Sequence, residues 1–447
     1  MKPISIPKKA KTTEVRDVIH GSIELYPWEI AVIDSDAFQR LRNIKQLGFS
    51  EFAYPCAVHN RYIHSIGACH LAGMVFQSVF KDYFFSSQET YHHFFYLARV
   101  CALLHDIGHG PFSHAIENAM PDLSQLKLPP ETIGKDQKRQ ATHEDYTLKI
   151  VLDSSLTKVL EKEYARFGIT PWHIASVMNL SLKTKDHFFH DRGIDFRKIM
   201  HQIISSEVDA DRMDYLQRDS YYTGVSYGQF DSKWLLTHLG LHIEQKVAYL
   251  SINDAAIYTF EDFLLSRYHM FMMVYLHHKS VCYEMMMGEY LNSKTCTFQV
   301  PADIEKYLQC DDSVFMEFLR KDAPTNDWAM RILHRRNHKV VLEIHESRSD
   351  PRKLEEAVTL KARLKQKGIP FLEASSGKGL SNYVKPNLGA TSEVDENTIF
   401  VESVSRTTQQ KNYKPLVEVT DLFRKYADKK HIYRIYVPTE LANQVAK

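Results

Sequence analysis

The sequence predicts a mainly α protein with a smaller C-terminal α+β lobe, and three observations carry that expectation. Apolar residues recur at helical spacing in the N-terminal part, as in Phe38, Leu41 and Ile44 or the run from Tyr96 to Leu104. The composition shifts near Asp327. Beyond it, strand-like runs (Lys339 to Ile344, Pro370 to Ala374, Thr398 to Ser403, Tyr433 to Val437) alternate with a charged helix from Pro351 to Gly368. The expected division is a helical core over 1–326 and a lobe over 327–447, and a chain of 447 residues is long enough for both.

The N-terminal elements follow in order. Val15 to Leu25 alternates and turns at His20-Gly21, which predicts a short hairpin. Pro27 to Ile33 reads as a helix with proline in its first turn. Asp34-Ser35-Asp36 offers a cap for a helix over Ala37 to Ile44, whose Gln39 and Arg42 share a polar side that reads by default as a solvated face. Gln46-Leu47-Gly48 ends that helix, and Phe52 to Pro55 reads as extended. A small apolar helix is expected from Ala68 to Phe80, with Arg61 and His64 one turn apart ahead of it. Ser86 to His93 reads as a polar, aromatic loop.

Farther along, Pro121 to Ala141 resembles a surface insertion. Thr142 is a cap that puts His143 and Glu144 in the first turn of the next helix, while His173 reads as structural. Ile203 to Leu216 is acid-rich, with Asp211, Tyr215 and Asp219 at four-residue spacing. Its carboxylates either pair with Arg212 and Arg218 or close a metal site. Asp254 to Met287 reads as long and helical, with His277, His278 and Lys279 as exposed members able to reach phosphates. The Gly- and Ser-containing stretch Ser375 to Asn397 reads as a loop, and Val417 to Tyr426 as strand followed by helix.

Composition excludes several classes. The hydrophobic fraction of 44%, charged fraction of 25% and net charge of +1 describe an ordinary globular chain, with no global attraction to nucleic acid or a membrane surface. Met1 to Thr13 has no apolar core of a signal peptide, and no apolar run is long enough to span a bilayer. The six cysteines include no C-x-x-C pair and read as reduced thiols of a cytoplasmic protein. There is no internal repeat and no G-x-x-x-x-G-K-[ST] loop. The 23 histidines hint at metal or phosphate chemistry.

The stretch Ala102 to His114 concentrates that hint. His105, Asp106, His109 and His114 fall around a helix break made by Gly108, Gly110 and Pro111, with His105 and His109 expected one turn apart on one helix face and Ser113 expected to cap a new helix. With His64 and Asp211 added, the candidate ligand set is His64, His105, Asp106 and Asp211. Mixed imidazole and carboxylate donors suit Mn²⁺, Fe²⁺, Zn²⁺, Co²⁺ or Ni²⁺ rather than an all-oxygen cage. His109, His114 and His143 can donate protons near neutral pH, Glu117 and Glu144 can orient them, and Arg61 and Lys279 can neutralise developing charge. Together these residues describe a hydrolytic phosphoester site.

The order His64, His105-Asp106, Asp211 resembles the H…HD…D signature of the HD-domain phosphohydrolases. Longer matches (Phe38 to Arg42, Lys45 to Gly48, His59 to Arg61, His105 to His114, Thr142 to Glu144, and Asp209-x-Asp211-Arg212-x-Asp214-Tyr215) resemble its deoxynucleoside triphosphate triphosphohydrolase branch over about Val18 to Lys279. The resemblance implies a helical HD core holding one divalent transition metal, with Mg²⁺ accompanying the nucleotide. It implies that water attacks the α-phosphorus of a dNTP, releasing deoxynucleoside and triphosphate. It assigns His114 (with Glu117 and His143) to the leaving oxygen, and Arg61, His109, Tyr215, Asp219 and Lys279 to the substrate. Gln46 and Leu47 would line the deoxyribose. It further implies that Asp34, Gln39 and Arg42 read the guanine of a dGTP or GTP effector that promotes a homotetramer. Two departures stand out: Tyr268 and Met272 replace basic residues of the mammalian pattern, and Thr13 and Glu14 stand where an effector-contacting lysine is expected. The rival readings are an HD phosphohydrolase acting on a monophosphate or guanosine tetraphosphate, and a nucleotide-sensing or nucleic-acid-binding scaffold. The cyclic-dinucleotide class wants a Gly-Tyr-Pro motif that is absent.

Overall fold

The N-terminal hairpin forms as the alternation predicts. Thr13–Asp17 pairs antiparallel with Gly21–Leu25, and Gly21 sits at a φ of +74°, where a residue without Cβ is at ease. The computed structural model describes residues 11–133, 138–345, 351–378, 398–405, 407–420, 422 and 430–445. Parts of three expected segments (134–137 of the insertion, 379–397 of the loop, and 421 and 423–426 of the last strand–helix stretch) lie outside the described residues, as does 1–10.

The core is built on two long helices, Arg61–Val79 and Gln88–Leu104, packed together and crossed by Ala210–Thr223. Both long helices begin earlier than the sequence reading expected. Asn60 Oδ1 accepts the Ile63 amide, so the first helix takes in Arg61 and His64. Ser87 Oγ accepts the Thr90 amide at 3.0 Å, so the expected loop of 86–93 is mostly helix. Small residues let the helices approach: a Cβ at Gly73 would press on Arg99 Nη1, and one at Gly67 would overlap Asp214 and Arg218.

Arg99 is buried between these helices and reaches Glu29 of the Pro27–Ile33 helix through Nε–Oε1 at 2.6 Å and Nη2–Oε2 at 2.8 Å. Glu29 Oε2 also accepts the Tyr26 amide. Ser35 caps the next turn as expected, but the helix is split into Asp36–Gln39 and the 3₁₀ turn Arg40–Asn43. Phe38, Leu41 and Ile44 are all fully buried, so the predicted stripe holds. Phe52 to Pro55 is not extended; a 3₁₀ turn, Gly48–Phe52, occupies the start of that segment.

The long helical stretch of 254–287 is interrupted. Ile257–Met270 runs into a π-type turn, Phe271–Tyr275, before His278–Leu291 begins. Widened turns of this kind re-aim side chains next to sites. The acid-rich segment is likewise two helices, Arg197–Ile204 and Ala210–Thr223, with Asp209 capping the second through the Arg212 amide.

Two sheets lie toward the C-terminal side. In the smaller, Lys430–Pro438 is central, antiparallel to His338–His345 and Leu372–Lys378. With the helix Pro351–Gln366 it encloses its own core, including Ile344, Leu364 and Ile435. In the other, Phe400–Val404 pairs parallel with Val247–Asn253, which itself pairs antiparallel with Leu239–Glu244. Backbone pairing therefore runs across the expected boundary at 326/327, and the strands of 239–253 went unread in the sequence. The mainly α class with a smaller α+β portion holds. Among the described residues no helix is long and apolar enough to cross a membrane.

Candidate active site

The helix Gln88–Leu104 stops before the motif it carries. His105 still has helical dihedrals, but 105–108 is a turn, so His109 does not stack one turn above His105 on a helix. Phe112 and Ser113 both take left-handed dihedrals, at φ +55° and +58°, a strained conformation outside glycine that surrounding contacts must hold in place. Ser113 is correspondingly not a helix cap. Its Oγ donates to the Lys45 carbonyl at 2.7 Å and accepts from Arg61 Nε at 2.9 Å. The 3₁₀ helix Ser113–Ala119 then presents His114 and Glu117.

Three of the four candidate ligands converge tightly. His64 Nε2, His105 Nε2 and Asp211 Oδ1 are mutually separated by 3.0 to 3.3 Å. Asp106 lies 3.5 Å from both imidazole nitrogens and is held by Arg61 Nη1. The opposite ring atoms are already committed: His64 Nδ1 donates to Asp214 Oδ2 at 2.8 Å, and His105 Nδ1 donates to the Ala102 carbonyl at 2.7 Å. In the neutral rings both Nε2 atoms thus aim lone pairs at each other and at a carboxylate, an arrangement that calls for a cation. The same carboxylates favour positive charge here: burial opposes charge on His64, yet its hydrogen bonds to Asp211 and Asp214 push it up to about 10. Burial likewise opposes ionisation of Asp106, and Arg61 with the neighbouring histidines outweighs it, holding the carboxyl well below its usual range. The donor set fits a divalent transition metal.

A second cluster adjoins the first. His109 stacks on His143 at 3.9 Å between ring centroids, and its Nε2 lies 3.3 Å from Asp106 Oδ1. Glu117 Oε1 accepts from His114 Nδ1 at 3.0 Å and from His143 Nδ1. Thr142 is the expected cap, and with Asp145 it forms a capping box that starts the His143–Leu152 helix. Burial and the Arg61 charge drive His109 well below the usual imidazole range, leaving it neutral.

These groups open onto one cavity of about 420 Å³. Of the expected site residues, Gln46, Leu47, Arg61, Asp106, His109, His114, His143, Asp211, Tyr215 and Asp219 line it, as does Glu144. His64 and His105 contact Asp211 from behind the wall, and Glu117 holds His114 and His143. Lys279 is exposed and is not part of the lining. Asp34, Gln39 and Arg42 are also outside it: Arg42 Nε donates to Gln39 Oε1 at 2.7 Å and its guanidinium lies over the Tyr62 ring, while Asp34 is exposed.

Sequence reading missed Arg267, Phe271 and Tyr275 in the lining. Tyr275 donates to Asp219 Oδ2 at 2.7 Å, and His59 Nε2 donates to Asp219 Oδ1 at 2.8 Å. Arg267 Nη1 is tied to the buried Glu207 at 3.1 Å. The only signal in the sequence was an arginine and aromatics in an apolar helix. Gln46 Oε1, His109 Nδ1 and Arg267 Nε are buried without a hydrogen-bond partner, and all three residues face this cavity. Orphaned buried polar atoms are costly, and several converging on one cavity mark a place where a polar ligand completes the bonding.

The chain is similar to known proteins over most of its length. Residues 61–219 match the HD domain and residues 230–446 match an HD associated region. An uncharacterized protein of Bacillus subtilis is 30% identical over 349 residues, covering 72% of this chain and 70% of that protein. A deoxynucleoside triphosphate triphosphohydrolase SAMHD1 homolog of Dictyostelium discoideum is 27% identical over 329 residues, 71% of this chain; the present chain spans 57% of its length. A crystal structure of a hypothetical protein from Aquifex aeolicus superposes with a TM-score of 0.72 at 25% identity, covering 97% of this chain and 99% of the other.

Proposed function

The chain belongs to the HD-domain family, and from that premise we propose that it hydrolyses deoxynucleoside triphosphates to deoxynucleoside and inorganic triphosphate. One observation carries the reading: Asp211, backed by His64 and His105, and the Glu117-held His114 and His143 line one cavity whose unpaired buried polar atoms include an arginine nitrogen.

His64, His105, Asp106 and Asp211 would hold a single Mn, Fe, Zn, Co or Ni ion, with Mg²⁺ accompanying the nucleotide. Bound there, such an ion supplies Lewis-acid polarisation of a phosphoryl oxygen and a water of lowered pKa. Arg61 and Arg267 neutralise the phosphates, and Arg267 takes the part expected of Lys279. His114, oriented by Glu117, gives a proton to the leaving oxygen, while His143 shares the Glu117 carboxylate and His109 faces the phosphates as a neutral ring. Gln46 and Leu47 line the sugar, and Tyr215 and Asp219 close its other side, with Tyr275 and His59 fixing the Asp219 carboxylate. Asp34, Gln39 and Arg42 form a guanine-nucleotide effector surface, taking dGTP or GTP and promoting a homotetramer. Their support is the Arg42–Gln39 bond and the stacking on Tyr62, outside the catalytic cavity.

The test is anion-exchange chromatography of the products formed by purified protein, Mn²⁺ and each dNTP, with and without dGTP or GTP. Triphosphate plus deoxynucleoside appearing only with the guanine nucleotide supports both the hydrolytic and the effector assignments. Triphosphate without activator removes the effector surface and keeps the enzyme. No turnover of any dNTP overturns the reading and directs the assay to monophosphates and guanosine tetraphosphate.

A further inference from the structure

We infer that His20, at the tip of the N-terminal hairpin, is a positioning residue for the metal ligand His64, acting through Asp214. The inference rests on the metal assignment proposed above.

Asp214 is fully buried and accepts four hydrogen bonds. His64 Nδ1 and Arg218 Nε reach Oδ2, each at 2.8 Å. Arg218 Nη2 reaches Oδ1 at 2.8 Å, and His20 Nε2 reaches the same oxygen at 2.6 Å. Every lone-pair direction of the carboxylate is therefore taken. Three of the four donors come from the core, on the Arg61–Val79 and Ala210–Thr223 helices. The fourth comes from a hairpin 194 positions away in sequence.

The hairpin is built to deliver that donor. Asp17 Oδ1 accepts the amides of Ile19 and His20 at 2.8 and 2.9 Å, which folds the turn. Asp17 Oδ2 accepts Arg218 Nη1 at 2.8 Å, which docks the turn beside Asp214. On the opposite side Gly67 leaves room for the carboxylate, since a Cβ there would overlap Asp214 Oδ1 and Arg218 Nη2. Without His20, the Oδ1 atom keeps only the guanidinium and the carboxylate turns toward Arg218. The His64 ring then loses the fixed tautomer and orientation that aim Nε2 at Asp211 and His105. Partners of this kind, one step behind a ligand, set its basicity and its angle.

The experiment measures Mn²⁺ affinity of the full chain by calorimetry, beside kcat and KM for a dNTP. His20→Leu removes the donor, whereas His20→Gln places an amide N–H near the position of Nε2. The expected result is Mn²⁺ binding weakened about tenfold or more by His20→Leu, with kcat lowered and KM nearly unchanged, and restored to within about threefold by His20→Gln. Gly67→Ala presses on the same carboxylate and on Arg218 from the helix side and is expected to weaken Mn²⁺ binding in the same way. Wild-type affinity in folded His20→Leu, or a His20→Gln variant no better than His20→Leu, overturns the inference. Asp211→Ala is the ligand control: if it leaves Mn²⁺ binding intact, the metal assignment and the inference fall together. Metal affinity is read without turnover, so a protein that binds Mn²⁺ but hydrolyses no dNTP overturns only the proposed reaction.

Discussion

Glu117 Oε1 accepts a hydrogen bond from His143 Nδ1 across 26 positions of sequence, and the same oxygen takes the His114 Nδ1 hydrogen at 3.0 Å. Burial alone would raise the Glu117 carboxyl, but the two imidazoles bring it down to about 2 from 4.5. Burial also opposes charge on His143, and Glu117 reverses that, raising it above 6.5. The signs fix a stability window. A depressed carboxyl stabilises the fold above pH 4.5 and loses that contribution as pH falls toward about 2. A raised imidazole stabilises below pH 6.5 and loses its contribution as pH climbs through its folded value. Urea midpoints across pH are therefore expected to show a contribution from this pair that is greatest between 4.5 and 6.5. Glu117→Gln should flatten the profile on both sides and lower kcat on the order of a hundredfold by freeing the histidines.

Metal removal should act on stability as well as turnover. The Nε2 atoms of His64 and His105 face each other at 3.3 Å beside Asp211, a donor set the unfolded chain does not gather, so a cation held there would stabilise the fold. Chelation is expected to abolish hydrolysis and lower the melting temperature. Mn²⁺ at a hundredfold excess over its Kd should then restore about 2.7 kcal/mol. Asp211→Ala should lose the metal-dependent shift in melting temperature measured by calorimetry.

What the sequence disclosed follows the range over which each feature is written. His105-Asp106, His114 with Glu117, and Thr142 to Glu144 are local patterns, and the chain places them together as expected. The carboxylates of the acid-rich segment were weighed between pairing with Arg212 and Arg218 and closing a metal site: Arg212 pairs with Glu207 and Arg218 with Asp214, while Asp211 faces His64 and His105. The helix expected to carry His109 ends at Leu104 because the turn that follows folds the motif back onto Arg61 and Asp106. Arg267, Tyr275 and His20 carried no local signal, since their partners Glu207, Asp219 and Asp214 lie 56 to 194 positions away. The hairpin of Leu239–Glu244 and Val247–Asn253 was missed although its pairing is local: its turn residues Gln245 and Lys246 take left-handed φ of +49° and +65° without the Gly or Asn that marks such a turn, and Val247–Asn253 is buried on both faces and so shows no alternation.

The Arg99–Glu29 pair is expected to dominate the stability of the N-terminal part of the core. Both side chains are almost wholly buried, at 5% and 1% exposure, so removing either leaves a charge without compensation. Arg99→Met should cost about 3–5 kcal/mol in urea unfolding, because it strands Glu29 beneath the Pro27–Ile33 helix. The double variant Arg99→Met with Glu29→Leu removes both charges and should recover most of that loss. If the double variant is no more stable than the single one, the cost lies in packing against Gly73 and the Tyr26 ring rather than in the charge.

Gly108 tests whether the break in the motif is needed for catalysis or only for folding. Its amide donates to Thr147 Oγ1 at 3.0 Å, and its carbonyl accepts from the Tyr307 hydroxyl at 2.6 Å. A Cβ at this position would overlap the His143 carbonyl and the Thr147 amide, which are backbone atoms of the helix bearing His143. A flexible side chain could swing away, but a helical backbone can yield only by moving the first turn as a unit. Gly108→Ala should therefore cost about 1–3 kcal/mol in urea unfolding. It should also shift His143 away from His109 and Glu117, lowering kcat more than KM is raised. A variant that loses stability but keeps wild-type kcat would show that the close approach serves packing alone, and that the position of His143 tolerates displacement.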